Sequence, residues 1–171
     1  QDSPVPIVMV GSQRSSDRPS SDAALNLIHS VTTAAISDIA EVMVCMFGPT
    51  SDMYGLLHRG TRVRKMHSSY RSTFRTIGDI PIATVSRDKV TPIRDDYKRR
   101  RFDNDVKVNA VFDDRVAIVY YYPNMKPDMI DSLIDNGYKG IVIAGTGLGH
   151  VNKPLYPALK RAKEKGVAVY M

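Results

Sequence analysis

Pro6-Ile7-Val8-Met9-Val10, running into Gly11-Ser12-Gln13-Arg14-Ser15-Ser16-Asp17-Arg18-Pro19-Ser20-Ser21-Asp22, is the stretch from which the fold is read. Its first part is apolar and partly β-branched, the composition of a strand, and its second part is a run of small polar residues that suits a loop. Then the periodicity changes. Ala24, Leu27, Ile28, Val31 and Ala35 recur at i, i+3, i+4, i+7 and i+11, which places them on one helical face. Ser20 or Ser21 is placed to cap that helix, with Asp22 against its positive end. Val42-Met43-Val44-Cys45-Met46-Phe47 is apolar throughout, as a parallel strand covered on both faces is. Strand, helix and strand make one βαβ unit, so the chain reads as α/β.

Moving outward, Gly60, Gly78, Pro81 and Pro92 interrupt the centre, where residues 80–85 and 89–93 read as two short strands of a hairpin. Residues 94–105 are almost wholly charged or polar, which suits a linker, and the domain boundary is placed near Asp114. The expected domains are 1–113 and 114–171. Beyond the boundary, residues 116–122 read as a strand. Pro127 opens a helix carrying Met129, Ile130, Leu133 and Ile134, and Asn136-Gly137 closes it. A strand at 140–144, a helix from about 154 to 165 and a last strand complete βαβαβ, hence a parallel sheet with right-handed crossovers. The residues beyond 113 would bury only a marginal core alone. Together with strand-like runs at both ends, beginning beside Gln1 and stopping at Met171, this leads to the expectation of a longer polypeptide.

At 171 residues with 43% hydrophobic content the chain can build a packed core. No run approaches the roughly 18 apolar residues a membrane span needs, and no charged-then-apolar leader opens it, so a soluble cytoplasmic protein with no membrane partner is expected. Cys45, the sole cysteine, lies in an apolar run and is expected to be a buried, inert thiol. The net charge of +6 calls for an acidic partner. Its cations gather at residues 58–65, continuing to Arg71 and Arg75, and again at Lys98-Arg99-Arg100-Arg101. Solvated surface is the plain reading of both.

Three segments are candidates for chemistry. Gly145-Thr146-Gly147-Leu148-Gly149-His150 leaves a parallel strand and enters a helix, where ligands favour the crevice. It is neither a dinucleotide fingerprint, because its third glycine comes one residue early, nor a P-loop, because no Gly-Lys-Ser/Thr follows. A tight turn or a pocket-lining loop remains. The loop at 11–22 is dense in hydroxyls and arginine, which suits a carboxylate-bearing ligand as well as it suits a capped surface loop. The third segment, residues 62–75, concentrates Lys65, His67 and several hydroxyls. A lysine crowded by Arg62 and Arg64 has its ammonium disfavoured, one route to an amine that accepts a hydroxyl proton. His67 alone is more often a structural hydrogen-bonder than a catalyst.

With these segments in view, the chain resembles the asparaginase and glutaminase amidohydrolases over essentially its whole length. Val10-Gly11-Ser12-Gln13-Arg14 with Arg18-Pro19-Ser20-Ser21-Asp22 and Asn26-Leu27 is similar to the family's substrate loop and following helix. Lys65, nine residues before Phe74 and followed by Pro81-Ile82-Ala83, is similar to its active-site lysine segment. Asn136-Gly137-Tyr138-Lys139-Gly140 leading into the glycine loop resembles the opening of its second domain. Within the family, Lys65-Met66-His67-Ser68-Ser69 and the Leu148 and His150 of the glycine loop are most similar to the asparaginase-like D subunits of archaeal glutamyl-tRNA(Gln) amidotransferases. Stand-alone asparaginases commonly have asparagine in that loop.

The resemblance implies a parallel-sheet asparaginase-like fold, here part of the larger N-terminal domain plus the start of the smaller C-terminal one. It implies hydrolysis of a glutamine or asparagine side-chain amide by a threonine nucleophile, with Lys65 as a catalytic partner and Ser12 and Gln13 as substrate-binding residues. Gly147 and His150 would belong to a partner or interface loop. The nucleophile's Thr-Gly-Gly-Thr-Ile stretch and the helper Thr-Asp stretch are expected before Gln1, and Thr146 is no substitute. The implied partners are an E subunit, which uses ATP and Mg, tRNA(Gln) charged with glutamate, and a second copy of the chain in a homodimer. No cofactor and no metal is expected in this chain itself. A free L-asparaginase and, lower, a non-catalytic RNA-binding module are the competing readings.

Overall fold

The computed structural model describes residues 2–102, 106 and 108–171, so the last part of the charged run read as a linker, residues 103–105, lies outside the described residues. Two compact units, Gln1–Asn109 and Ala110–Met171, are each taken by themselves.

In the first unit β1 (Ile7–Val10), α1 (Ala23–Ile36) and β2 (Val42–Phe47) form the expected βαβ unit, with β1 and β2 parallel from Ile7↔Val42 to Val10↔Cys45. The next strand reverses. β3 (Gly55–Arg59) runs antiparallel to β2, with Met43 opposite Arg59 and Phe47 opposite Gly55. Only residues 48–54 separate them, and a parallel return needs a crossover of about a dozen residues or more. Periodicity marks no strand here, because Leu56 and Leu57 stand between glycine and a cationic run. β4 (Val63–Lys65) and β5 (Phe74–Thr76) form a separate two-stranded ribbon. β6 (Ala83–Val85) and β7 (Val90–Pro92) make the expected hairpin and extend the larger sheet to the order β1-β2-β3-β6-β7. Ile39, Met43, Cys45, Leu57, Ile82, Ala83 and Val85 make the core. Burial pushes the Cys45 thiol up to about 11, against a hydrogen bond from Ser30 that lowers it, so the group stays a neutral thiol.

One reading of α1 is corrected. The N-cap is Asp22 itself, and its carboxylate makes no cap bond to its own helix; Ser21 Oγ accepts from Ala23 N at 3.1 Å instead. The apolar face is also the outward one: Leu27 is 55% and Val31 59% exposed, while Asn26, His29, Ser30 and Thr33 are buried against the sheet. Close approach explains the choice. A Cβ on Gly55 would lie 2.9 Å from His29 Nδ1, so the imidazole fits where β3 carries no side chain. Ser30 and Thr33 return their hydroxyls to the carbonyls of Asn26 and His29, at 2.8 Å each, and so enter the interior already bonded.

The second cationic cluster and Arg59 of the first are tied down. Arg59 makes a bidentate pair with Glu41, Nε–Oε2 at 2.6 Å and Nη2–Oε1 at 2.9 Å, and continues to Asp79, which also holds Arg94. Burial works to raise the Glu41 carboxyl, but the Arg59 bonds outweigh it and leave it below its ordinary value. Lys98 pairs with Asp2, Arg99 with Asp38 and Arg101 with Asp2. Arg100 donates to the carbonyls of Ala34 and Ala35, at the negative end of α1.

The second unit follows the expected order. β8 (Val116–Tyr120), α2 (Asp128–Asp135), β9 (Gly140–Ala144), α3 (Tyr156–Glu164) and β10 (Ala168–Tyr170) build an all-parallel sheet in the order β10-β9-β8. Ile130, Ile134, Leu155, Ala158 and Ala162 pack on Val119, Ile141 and Ile143. Alternate residues Val116, Ile118, Tyr120 and Tyr170 are exposed on the other face. Among the described residues no helix is long and apolar enough to cross a membrane.

Buried His58 gives the first unit a pH dependence. Burial, aided by Arg75, pushes its pKa down to about 4; Nδ1 meets Thr76 Oγ1 at 2.9 Å and Nε2 has no hydrogen-bond partner among the described residues. The unfolded chain takes up a proton near the ordinary value of about 6.5 and the native state does not, so stability is full above that value and falls as pH drops toward about 4. The loss is expected to reach roughly 3 kcal/mol. Urea unfolding across that range should show the slope, and His58→Gln should flatten it; an unchanged slope would contradict the assignment.

Candidate functional site

The β1–α1 loop leaves the carboxyl end of a parallel strand and is organised around one buried carboxylate. Asp22 accepts from Gln13 N at 3.0 and 3.1 Å, from Arg14 N at 3.0 Å and from Asn26 Nδ2 at 2.8 Å. Asn26 Nδ2 also reaches Gly11 O at 3.0 Å, closing the loop's start onto the helix's first turn. An ion at 0% exposure is tolerable only when its lone pairs are met, and here backbone and amide donors meet them. The spacing of Asp22 and Asn26, four residues apart at a loop–helix junction, is the signal in the sequence that marks this fastening.

Gln13 passes the constraint on. Its backbone is held by Asp22, and its Nε2 donates to Tyr70 O at 3.1 Å and Ser68 O at 3.3 Å, in the loop joining β4 to β5. That loop closes on itself: Thr73 Oγ1 donates to His67 O at 2.8 Å and accepts from His67 N, while His67 Nδ1 accepts from Ser69 N at 3.1 Å. His67 therefore serves the loop's shape. Lys65 ends β4 where this loop begins, exposed, with Nζ 6.0 Å from the Phe74 ring centroid.

The ribbon sorts the cations by face. Lys65 lies opposite Phe74 and Arg64 opposite Arg75, so alternation puts Arg64 on the other face from Lys65. The expected crowding of Lys65 by Arg64 is thus corrected: the two side chains leave the strand in opposite directions. Ser12 is exposed next to Gln13, and among the described residues no hydrogen bond or ion pair joins Lys65 to Ser12 or Gln13. What links them is the 66–73 loop. Arg71, which periodicity does not mark, lies over the Phe47 ring at 4.7 Å and pairs with Asp52 at 3.0 Å.

Gly147 and His150 belong to the second unit, in the loop that leaves the carboxyl end of β9. Thr146 N donates to His150 O and His150 N to Thr146 O, each at 3.0 Å, making a tight turn. A Cβ on Gly145 would lie 2.6 Å from the Gly149 backbone, and Gly149 has φ +88°, so both positions demand glycine. Leu148 stands exposed at the tip. Among the described residues no three His, Cys, Asp or Glu side chains gather as a metal site requires.

The family described as "Asparaginase, N-terminal" matches residues 1–98, and "Glutaminase/Asparaginase C-terminal domain" matches residues 115–171. A protein of Thermococcus kodakarensis, named as the D subunit of glutamyl-tRNA(Gln) amidotransferase, is 58% identical over 167 residues, covering 97% of this chain and 38% of that relative. The protein of that name in Aeropyrum pernix is 48% identical, covering 97% of this chain and 39% of its own length. The chain thus spans well under half of these relatives. The thermostable L-asparaginase of Thermococcus kodakarensis has a similar fold, with a TM-score of 0.79 at 24% identity over 96% of this chain and 47% of that one.

Asp22→Ala should leave the Gln13 and Arg14 amides without their shared acceptor and cost about 3 kcal/mol of stability in the first unit. Asp22→Asn, which keeps acceptor oxygen but adds a donor facing two N–H groups, should fall between. Chemical denaturation of the three proteins measures this, and wild-type stability in Asp22→Ala would remove the carboxylate from its organising place.

Proposed function

The chain belongs to the asparaginase family, and on that premise we propose that it carries the lysine-bearing portion of an amidohydrolase that releases ammonia for a tRNA-dependent amidotransferase. The observation that carries the reading is the 58% identity to the D subunit of such an amidotransferase over nearly the whole chain, with both family matches falling in order along it. The stand-alone asparaginase alternative is not favoured, since it rests on fold likeness at 24% identity.

In this reading a threonine outside these 171 residues attacks the side-chain carbonyl of glutamine or asparagine. Its hydroxyl proton passes toward Lys65 and on to the amide nitrogen, the C–N bond breaks and ammonia leaves, and water then hydrolyses the acyl-enzyme ester, releasing the acid and restoring the threonine hydroxyl. Lys65 suits a proton acceptor because an amine can lose its proton whereas a guanidinium cannot. Ser12 and Gln13 form the substrate side, with the Gln13 side chain holding the 66–73 loop and Ser12 left free for ligand. Gly147 and His150 are proposed for a partner or interface loop. The proposed setting is cytoplasmic and archaeal, with an E subunit that uses ATP and Mg, glutamate-charged tRNA(Gln) and a second copy of this protein as partners; the chain itself takes no cofactor.

In the complete protein, Lys65→Met should lower kcat for ammonia release about 10²- to 10⁴-fold with little change in substrate binding, and Lys65→Arg should do no better. Steady-state ammonia release with folding checked by circular dichroism decides it: near-normal kcat in Lys65→Met would refute the role. The 171-residue chain alone is expected to release no ammonia from glutamine or asparagine, and measurable turnover by the purified chain would overturn the placement of the nucleophile outside it.

A further inference from the structure

The donors around one cavity are not used by the amidohydrolase reading. It lies between the β1–α1 loop, the β2–β3 turn and the β4–β5 loop, encloses about 440 Å³ and is lined by Arg14, Ser20, Thr50, Ser69, Tyr70 and Arg71. Every one of these side chains ends in a hydrogen-bond donor, and none is a carboxylate. Arg14 commits one N–H, from Nη1 to Ser20 Oγ at 2.6 Å. Arg71 commits Nη1 to Thr50 O at 3.3 Å and Nη2 to Asp52 at 3.0 Å, while its buried Nε has no hydrogen-bond partner among the described residues. A guanidinium carries five N–H donors, so both arginines retain uncommitted ones.

Two other cavities with arginine differ. Beside β2 and β3 the Arg59 guanidinium is bound to Glu41, and between α2 and α3 the Arg161 guanidinium is bound to Asp131 and Asp135. Here, among the described residues, the acid paired with Arg71 is Asp52, 61% exposed on its turn and held by that one pair. Such an exposed pair is weak and readily exchanged.

We propose that this cavity binds a phosphate group, with Arg14 and Arg71 as its charged ligands and the surrounding hydroxyls as neutral donors. Geometry favours phosphate over carboxylate. One guanidinium fork satisfies the two coplanar oxygens of a carboxylate, whereas donors arriving from three separate chain segments suit the tetrahedrally arranged oxygens that a free phosphate and a phosphodiester share. Arg71 is held for the task by its stacking on Phe47, and its neighbour Tyr70 is tied through Gln13 to the loop carrying Arg14. The site stands on the cavity alone and does not depend on Lys65 being a base. The phosphate belongs either to a free phosphate compound or to an RNA backbone.

Calorimetric titration of the complete protein with inorganic phosphate should show saturable binding. Arg14→Met and Arg71→Met should each weaken it about tenfold or more, and Asp52→Asn should tighten it about threefold by removing the acid that competes for Arg71. The Asp52 variant keeps the test decisive if Arg71→Met fails to fold. A single-stranded RNA without terminal phosphates that displaces inorganic phosphate assigns the site to an RNA backbone, and phosphate binding undisturbed by that RNA assigns it to a free compound. Absence of saturable binding, equal affinities in wild type and Asp52→Asn, or displacement by L-glutamine would each overturn the proposal.

Discussion

The buried carboxylate of Asp22 is the constraint on which the candidate site depends. A charge taken out of water must be fully bonded, and Asp22 meets this by gathering Gln13 N, Arg14 N and Asn26 Nδ2 around itself. The consequence travels through covalent geometry. Fixing the Gln13 backbone aims its side-chain amide at the carbonyls of Ser68 and Tyr70, which fixes the loop that starts at Lys65. Fixing Arg14 places one guanidinium at the edge of the same loop system. An N-terminal aspartate that merely countered a helix dipole would do none of this, because it would point along α1 rather than back into the loop.

Electrostatics then separates two basic clusters that look alike in sequence. Lys98 to Arg101 run close to the end of α1 and the acids Asp2 and Asp38, so their charge serves the first unit's own cohesion and the helix's negative end. Arg59 is likewise absorbed by Glu41 and Asp79. On the β4–β5 ribbon Arg64 and Arg75 face each other as like charges, an arrangement that costs stability unless an anion or solvent separates them. Among the described residues no ion pair holds Arg62, Arg64, Lys65 or Arg75 on the ribbon, whereas acids hold Lys98, Arg99 and Arg101 of the more conspicuous run.

Both units leave apolar surface bare. The outward face of α1 carries Leu27, Val31 and Ile36, and the face of the second sheet opposite its helices carries Val116, Ile118 and Tyr120. The relatives of this chain are more than twice its length, so such surface is consistent with a segment that folds against additional polypeptide in the complete protein.

What the sequence determined by itself was local: the β1–α1–β2 order, the hairpin at β6 and β7, the strand and helix succession of the second unit, and the burial of Cys45. Each follows from side-chain periodicity or from Gly and Pro acting within a few residues of themselves. Motif wording carried the family, because the lysine segment and the glycine loop hold residues that periodicity does not require. Only tertiary structure decided which face of α1 turned inward, since a helical repeat says which residues share a face but not whether Gly55 lies opposite to admit His29. It also decided the direction of β3, which depends on a turn too short to cross over, and which cations are absorbed by acids, some of them up to 96 residues away, as Asp2 is from Lys98. Pairings at that separation are selected by packing and charge in three dimensions, and no local pattern encodes them.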